Sequence, residues 1–289
     1  MERTIAIQGF EGCFHQIAAE HYFGAGTGIS PCVSFSEVVR KVAAGTVDAG
    51  VMAIENSTAG SILPNYDLLQ RSELFVVGEI YLHIRQHLLA LPGVAAEEIT
   101  EVHSHPMALL QCRDYLEKHP AWRLVESEDT ALSAKQLGQH RTRHIAAIAS
   151  GLAATRYGLQ VLESDVHTEK KNYTRFLVLH RQEKQKDAAQ DHKSSLYFQV
   201  ENQSGCLAKV LSCIGDKQIN LSKLQSFPIP GLDWQYYFHA DLEFETMEQF
   251  EEVISCITPL TKELRVLGIY HKGVTVSPEP AEMLKNEYL

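Results

Sequence analysis

Residues 49–61 read AGVMAIENSTAGS. The continuous apolar run Ala49–Ile54 suits a strand covered on both faces, and such strands belong in parallel sheets flanked by helices. Directly after it, Glu55, Asn56, Ser57, Thr58 and Ser61 gather five polar side chains where a strand end meets a helix start, the usual ligand edge of an α/β sheet. Helix capping accounts for one or two of these hydroxyls, not for the whole set.

Outward from this strand, the chain keeps alternating. On the N-terminal side, Thr4–Gln8 reads as a strand ending at Gly9, Cys13–Phe23 as a helix, and Ser36–Ala44 as a second helix stopped by Gly45. On the other side come helical Pro64–Gln70, the β-rich stretch Leu74–Ile84 and the apolar run Leu88–Leu91, where the direction changes. From Thr100 the order is strand to His103, helix Pro106–Lys118, strand Trp122–Val125, helix Thr130–Gln136, strand His144–Ile148 and helix Gly151–Tyr157, closed by a buried strand Arg175–His180. Strands and helices taking turns predict an α/β layered fold.

Residues 182–193, with almost no apolar content, read as a charged linker between a first module at 1–181 and a second at 194–272. The second module runs strand Ser195–Glu201, helix Cys206–Lys217, strands Ile219–Phe227 and Trp234–Leu242, helix Met247–Cys256 and strand Leu264–Tyr270. That βαββαβ order is ferredoxin-like. Residues 273–289 read as a loosely docked tail.

A chain of 289 residues accommodates two cores, and 45% hydrophobic with 21% charged residues is ordinary globular composition. The net charge of -10 argues against nucleic acid as a partner, because phosphate binding needs a basic face. An anionic ligand would therefore need a local exception built from arginines, histidines or backbone amides. Cysteines 13, 32, 112, 206, 213 and 256 form no CxxC pair and read as buried free thiols. No signal peptide is read at the start and no apolar stretch approaches the ~18 residues of a membrane span, so a cytoplasmic setting is expected. The 14 histidines show no HxxxH or HExxH spacing, and neither a metal nor another cofactor is expected.

Four segments can carry chemistry. In GFEGCF, Gly9 and Gly12 relax a strand-to-helix turn whose amides near Cys13 and Phe14 can hold an anion, or the turn is merely tight. IENSTAGS is the polar cluster above. In HSHPMALLQC, Ser104 or His105 caps a helix, or His105 donates to a carboxylate. In NYTRF, Asn172, Thr174 and Arg175 stand at the entrance to the last strand; alternation sends Thr174 and Arg175 to opposite faces, and the guanidinium either clamps a carboxylate or makes a structural ion pair.

These four motifs, in this order and rough spacing, resemble the prephenate dehydratases, with TRF the most specific piece. SGCLAKVL, INLSKLQSFP and WQYYFHADLE look like an ACT regulatory domain, so the resemblance covers nearly the whole chain. It implies a bilobal catalytic part like a periplasmic binding protein, with the chain crossing out near Glu79 and returning near Gly158, and the site in the cleft. The implied reaction takes prephenate to phenylpyruvate with loss of water and carbon dioxide, without a cofactor.

By the same resemblance Thr174 hydrogen-bonds the leaving hydroxyl, Asn56 and Ser57 share that task, Arg175 anchors or organises a carboxylate, and Phe176 packs the apolar wall. Thr58, His105, Gly12 and the backbone near Cys13 and Ser150 contact substrate. Many members carry a hydroxyl residue where this chain has Cys13 and another near His15, which leaves backbone contacts, or the charge of His15, for this turn. Phenylalanine is the implied effector, held between paired copies at Gly205, Cys206, Leu207, Gln225 and Ser226, which implies a homodimer or homotetramer. The family's Glu-Ser-Arg-Pro effector segment here reads Gln225, Ser226, Phe227, Pro228, without either charge. Arogenate dehydratase and a non-catalytic carboxylate sensor are the alternatives.

Overall fold

The computed structural model describes residues 3–277, apart from 186, 188 and 230. Thr4–Gln8 (β1) turns through Gly9 and Gly12 into Phe14–Phe23 (α1), followed by Gly28–Cys32 (β2), Phe35–Ala43 (α2) and Ala49–Asn56 (β3). Gly60–Ser61 (β4), Leu63–Arg71 (α3) and Phe75–His83 (β5) complete the first pass through lobe one. Lobe two holds His87–Ala90 (β6), Glu101–Ser104 (β7), Pro106–Gln111 (α4), Arg113–Leu116 (α5) and Arg123–Glu126 (β8). Thr130–His140 (α6), Ile145–Ala149 (β9), Gly151–Tyr157 (α7) and Gln160–Glu163 (β10) finish it, and Tyr173–His180 (β11) returns to lobe one.

β3 is buried from Ala49 to Ile54, as its apolar run requires. It pairs parallel with β1 but antiparallel with β11, so the first sheet is mixed rather than wholly parallel. The second sheet has the order β10-β6-β9-β7-β8. The two crossings run between His83 and His87 and between Glu163 and Tyr173, a few residues beyond the expected points near Glu79 and Gly158. The expected helix Pro106–Lys118 is broken at the buried Cys112, which leaves helical backbone with φ -103° and ψ 16°.

Asp191–Gln199 (β12), Cys206–Asp216 (α8), Asn220–Pro228 (β13), Tyr236–Glu243 (β14), Met247–Ile257 (α9) and Glu263–His271 (β15) form the C-terminal unit. Its sheet order β13-β14-β12-β15 is the ferredoxin-like arrangement. β12 begins at Asp191, so it takes up the last part of the expected linker. Alternation along β12 buries both faces: Leu196 and Phe198 join the core under α8 and α9, while Tyr197 joins a core shared with Leu69, Leu74 and Val76 of lobe one. The unit is thus packed directly on the sheet of lobe one, not tethered by a linker alone. Thr275–Val276 (β16) adds to β5, so the start of the expected tail is docked; positions 278–289 lie outside the described residues. Cys213 and Cys256 meet sulfur to sulfur between α8 and α9 with Cα atoms 6.4 Å apart, which corrects the expectation of six free thiols.

Candidate functional site

A cavity of about 380 Å³, within the range of small-molecule sites, lies between the lobes. Strand ends and helix starts converge on it: Ala53 and Asn56 from β3, Thr174 and Phe176 from β11, Cys13 and His15 from the start of α1. Lobe two contributes His105 and Gln111, together with Glu128 and Asp129 before α6. Gln86, from the first crossing, completes the floor. Among the described residues lining this cavity there is no lysine or arginine. No group of three or more His, Cys, Asp or Glu among the described residues is placed to hold a metal ion.

Thr174 pairs with Asn56 across the β11–β3 ladder. The Asn56 amide donates to Thr174 Oγ1 at 2.9 Å and to Asn172 Oδ1 at 2.8 Å, while its oxygen accepts from Thr58 Oγ1 at 2.7 Å and from the Ala59 amide at 2.8 Å. Asn56 is therefore saturated by protein partners and fixes Thr174. Because Thr174 Oγ1 accepts that N–H, its own proton is left to be donated elsewhere. Thr58 also accepts from Gln111 Nε2 at 3.3 Å, so this chain of hydrogen bonds bridges the lobes.

Several expected site residues are occupied away from the cavity. Ser57 ties the strand ends, donating to Lys171 O at 3.1 Å and accepting from the Tyr173 amide at 2.9 Å. Ser150 caps α7 and donates to Gly12 O at 2.5 Å, while the Gly12 amide goes to Gln16 Oε1 at 2.8 Å. The bond from Ser150 to Gly12 thus joins the two lobes. Gly12 has φ +89°, and a Cβ there would stand 2.9 Å from Ala153 Cα, so glycine is what lets the lobes approach. The Cys13 amide is also used, by Phe10 O at 3.1 Å, although its side chain reaches the cavity. Thr58 lines an adjoining groove instead, with Gln111 and Asn172.

Arg175 takes the ion-pair alternative. Its side chain points to the other face of β11, where Nε donates to Glu79 Oε2 at 2.7 Å, Nη1 to Asp241 and Nη2 to Tyr270 OH at 3.2 Å. It organises protein carboxylates between the sheet of lobe one and the C-terminal unit, and it is not among the residues that line the cavity.

The described lining of this cavity holds no lysine or arginine, while Glu128 and Asp129 lie on its wall. Burial pushes the His15 imidazole down to about 3, so it cannot supply the charge expected of it, and its Nε2 accepts from the Ala53 amide at 3.3 Å. Burial, with Asp129 nearby, pushes the Cys13 thiol up to about 12. His105 lines the cavity while its Nδ1 accepts from the Met107 amide at 3.2 Å, which makes it both a cap and a wall residue. Asp129 caps α6, and burial raises its carboxyl. Gln86, whose Oε1 is buried without a partner among the described residues, and Gln111 carry no signal in the sequence.

In the C-terminal unit, Gly205 adopts φ 85° at the start of α8, with Cys206 and Leu207 beside it. Gln225 and Ser226 lie on β13, and Gln225 accepts from Ser61 Oγ at 3.3 Å. Phe227 is buried, stacked on Tyr237 with centroids 5.2 Å apart and as close to Tyr66 of α3. Phe227 is thus a piece of the core that joins the two parts.

The model of the family described as prephenate dehydratase matches residues 5–184. An Arabidopsis thaliana protein, arogenate dehydratase/prephenate dehydratase 2, chloroplastic, is 36% identical over 282 residues, covering 94% of this chain and 74% of its own. The solved structure of a prephenate dehydratase from Arthrobacter aurescens in complex with L-Phe superposes with a TM-score of 0.84 at 26% identity, covering 93% of this chain and 90% of that one. Another, described as GqqA, a novel type of quorum quenching acylase, gives a TM-score of 0.85 at 28% identity, covering 93% and 98%.

Proposed function

The chain belongs to the prephenate dehydratase family, and we propose that in the cleft between its lobes it converts prephenate to phenylpyruvate, releasing water and carbon dioxide. The observation that carries this reading is Thr174: its oxygen is held by Asn56 and its proton is free, beside the apolar wall of Phe176.

The reaction consumes one proton. The ring hydroxyl leaves with that proton as water, the bond to the ring carboxylate breaks to give carbon dioxide, and its electron pair enters the ring, which becomes aromatic. Threonine is too weak an acid to be the proton's source, so the proton comes from solvent, and Thr174 donates a hydrogen bond to the departing oxygen as it gains charge. A wall without lysine or arginine suits the second half of the step, since a cation on the ring carboxylate would hold it back from leaving as neutral carbon dioxide. Acyl transfer is less well served: the Cys13 thiol is kept protonated, and Thr174 faces an amide rather than a base.

Purified protein given prephenate and arogenate side by side, with phenylpyruvate followed by absorbance and phenylalanine by amino-acid analysis, tests this and decides between the two substrates. Turnover of neither, with phenylalanine still bound, would leave a carboxylate sensor as the better reading. We further take the C-terminal unit as an ACT domain and phenylalanine as its effector, as the L-Phe complex of the Arthrobacter relative suggests, bound near Gly205 and Gln225 where two copies pair. β13 lies at an edge of its sheet and gives such pairing a route. Millimolar phenylalanine should lower activity and raise the melting temperature; no change in either would remove this part.

A further inference from the structure

The proposed substrate carries two carboxylates, yet the cavity offers no lysine or arginine among the described residues lining it, and Glu128 and Asp129 stand on its wall. Neutral donors have to hold the anion. His15 is one that nothing so far has given a role. Its Nε2 accepts the Ala53 N–H at 3.3 Å, and an imidazole that accepts at Nε2 without being charged carries its proton on Nδ1. The ring is edge-on to Phe176 with centroids 5.0 Å apart, and it tilts against Phe35 at 5.4 Å, so both aromatic neighbours fix its plane. The only hydrogen bond His15 makes through its ring to the described residues is the one at Nε2.

We infer that His15 contacts the substrate, its Nδ1–H donating to a carboxylate oxygen, with the Ala53 amide holding the tautomer that makes this donation available. The inference rests on the dehydratase reading of the same cavity. Neutrality matters for the chemistry, because a hydrogen bond orients a carboxylate without binding it as tightly as a full positive charge would. Burial keeps the ring neutral at working pH.

The two nitrogens can be tested separately. Asparagine at position 15 places an amide near where Nδ1 stands, and glutamine places one near Nε2. With prephenate as substrate, His15→Asn should retain most of kcat/KM, whereas His15→Gln should lose about ten- to a hundredfold, chiefly through KM, as for a lost hydrogen bond to a charged group. If His15 serves only to hold the Ala53 backbone, the order reverses: glutamine retains activity and asparagine loses both activity and melting temperature. That reversal, or two variants equal to wild type, overturns the inference while leaving the proposed function intact. Wild-type protein inactive on both prephenate and arogenate overturns the function, and the inference with it.

Discussion

Replacing Asp241 by asparagine removes one negative charge from a buried network and leaves Arg175 with Glu79 alone, a carboxylate it shares with Lys193. Asp241 accepts from Arg175, from Ser195 Oγ at 2.5 Å and from His239 Nε2 at 3.1 Å, while Glu79 accepts from Arg175 and, at 2.9 Å, from Lys193, which also stands 3.6 Å from Glu243. Arg175, Glu79, Lys193 and Asp241 are each at most 4% exposed, so two positive and two negative charges balance out of water. Burial alone would raise the Asp241 carboxyl; Arg175 and His239 outweigh it and hold the group well below the usual carboxylate range. Breaking one partner of a buried pair costs about 3–5 kcal/mol. At roughly 2–4 °C per kcal/mol for a chain approaching this size, the melting temperature of Asp241→Asn should fall by about 6–20 °C. The double variant Arg175→Gln with Asp241→Asn restores neutrality and should recover more than half of that fall, because the penalty is the unpaired charge and not the lost contact. Thermal unfolding of the four proteins of this cycle, followed by circular dichroism, is the assay. A single variant melting within about 2 °C of wild type, or a double variant as unstable as the sum of its singles, would refute the reasoning.

Thr174→Ala should lower kcat by about two to three orders of magnitude with little change in KM, while Thr174→Ser keeps most of the rate; steady-state kinetics on prephenate checks both, and full turnover by the alanine variant would remove Thr174 from the mechanism. Gly12→Ala puts a Cβ against Ala153 at a positive φ and should cost about 1–3 kcal/mol in thermal unfolding, with lower activity because the lobes cannot close as far. Burial depresses the imidazoles of His15 to about 3 and His87 to about 4. Their unfolded counterparts take up protons from about pH 6.5 downward, so stability present above that pH is lost as pH falls toward 4, by about 1.4 kcal/mol per unit for each histidine. Melting temperatures measured from pH 8 to pH 4 should show this slope, and His87→Gln should flatten it; a flat wild-type profile would count against both assignments.

The central strand β3 was legible because burial on both faces leaves an unbroken apolar run, and α7 because Ser150, a good cap, precedes it. β2 was not, since Gly28–Cys32 holds Pro31 and lies at the sheet edge, where proline is tolerated but erases the local strand signal. The cavity was half legible. Motifs led to Asn56, Thr174 and Phe176, which do converge, but the same motifs supplied Ser57, and the resemblance Ser150, whose hydroxyls are spent on backbone. Gln86 carries no motif and lies in a crossing, so only tertiary structure brings its unpartnered amide oxygen into view. Alternation correctly separated Thr174 from Arg175. It could not say what covers the second face, because Asp241 and Tyr270 stand 66 and 95 residues further along the chain.

That second face changes where communication between the two parts has to be sought. A linker transmits little, but here the C-terminal sheet lies on the catalytic sheet, and its contacts fall beside the residues that hold Thr174. Lys223 of β13 donates to Glu55 at 2.8 Å and to Ser61 at 2.7 Å, and Gln225 on the same strand reaches Ser61. Glu55 directly precedes Asn56, whose amide fixes the Thr174 hydroxyl, and Arg175 directly follows Thr174. A shift of β13 or β14 would thus bear on both ends of the Asn56–Thr174 hydrogen bond, one through Glu55 and the other through Asp241 and Arg175.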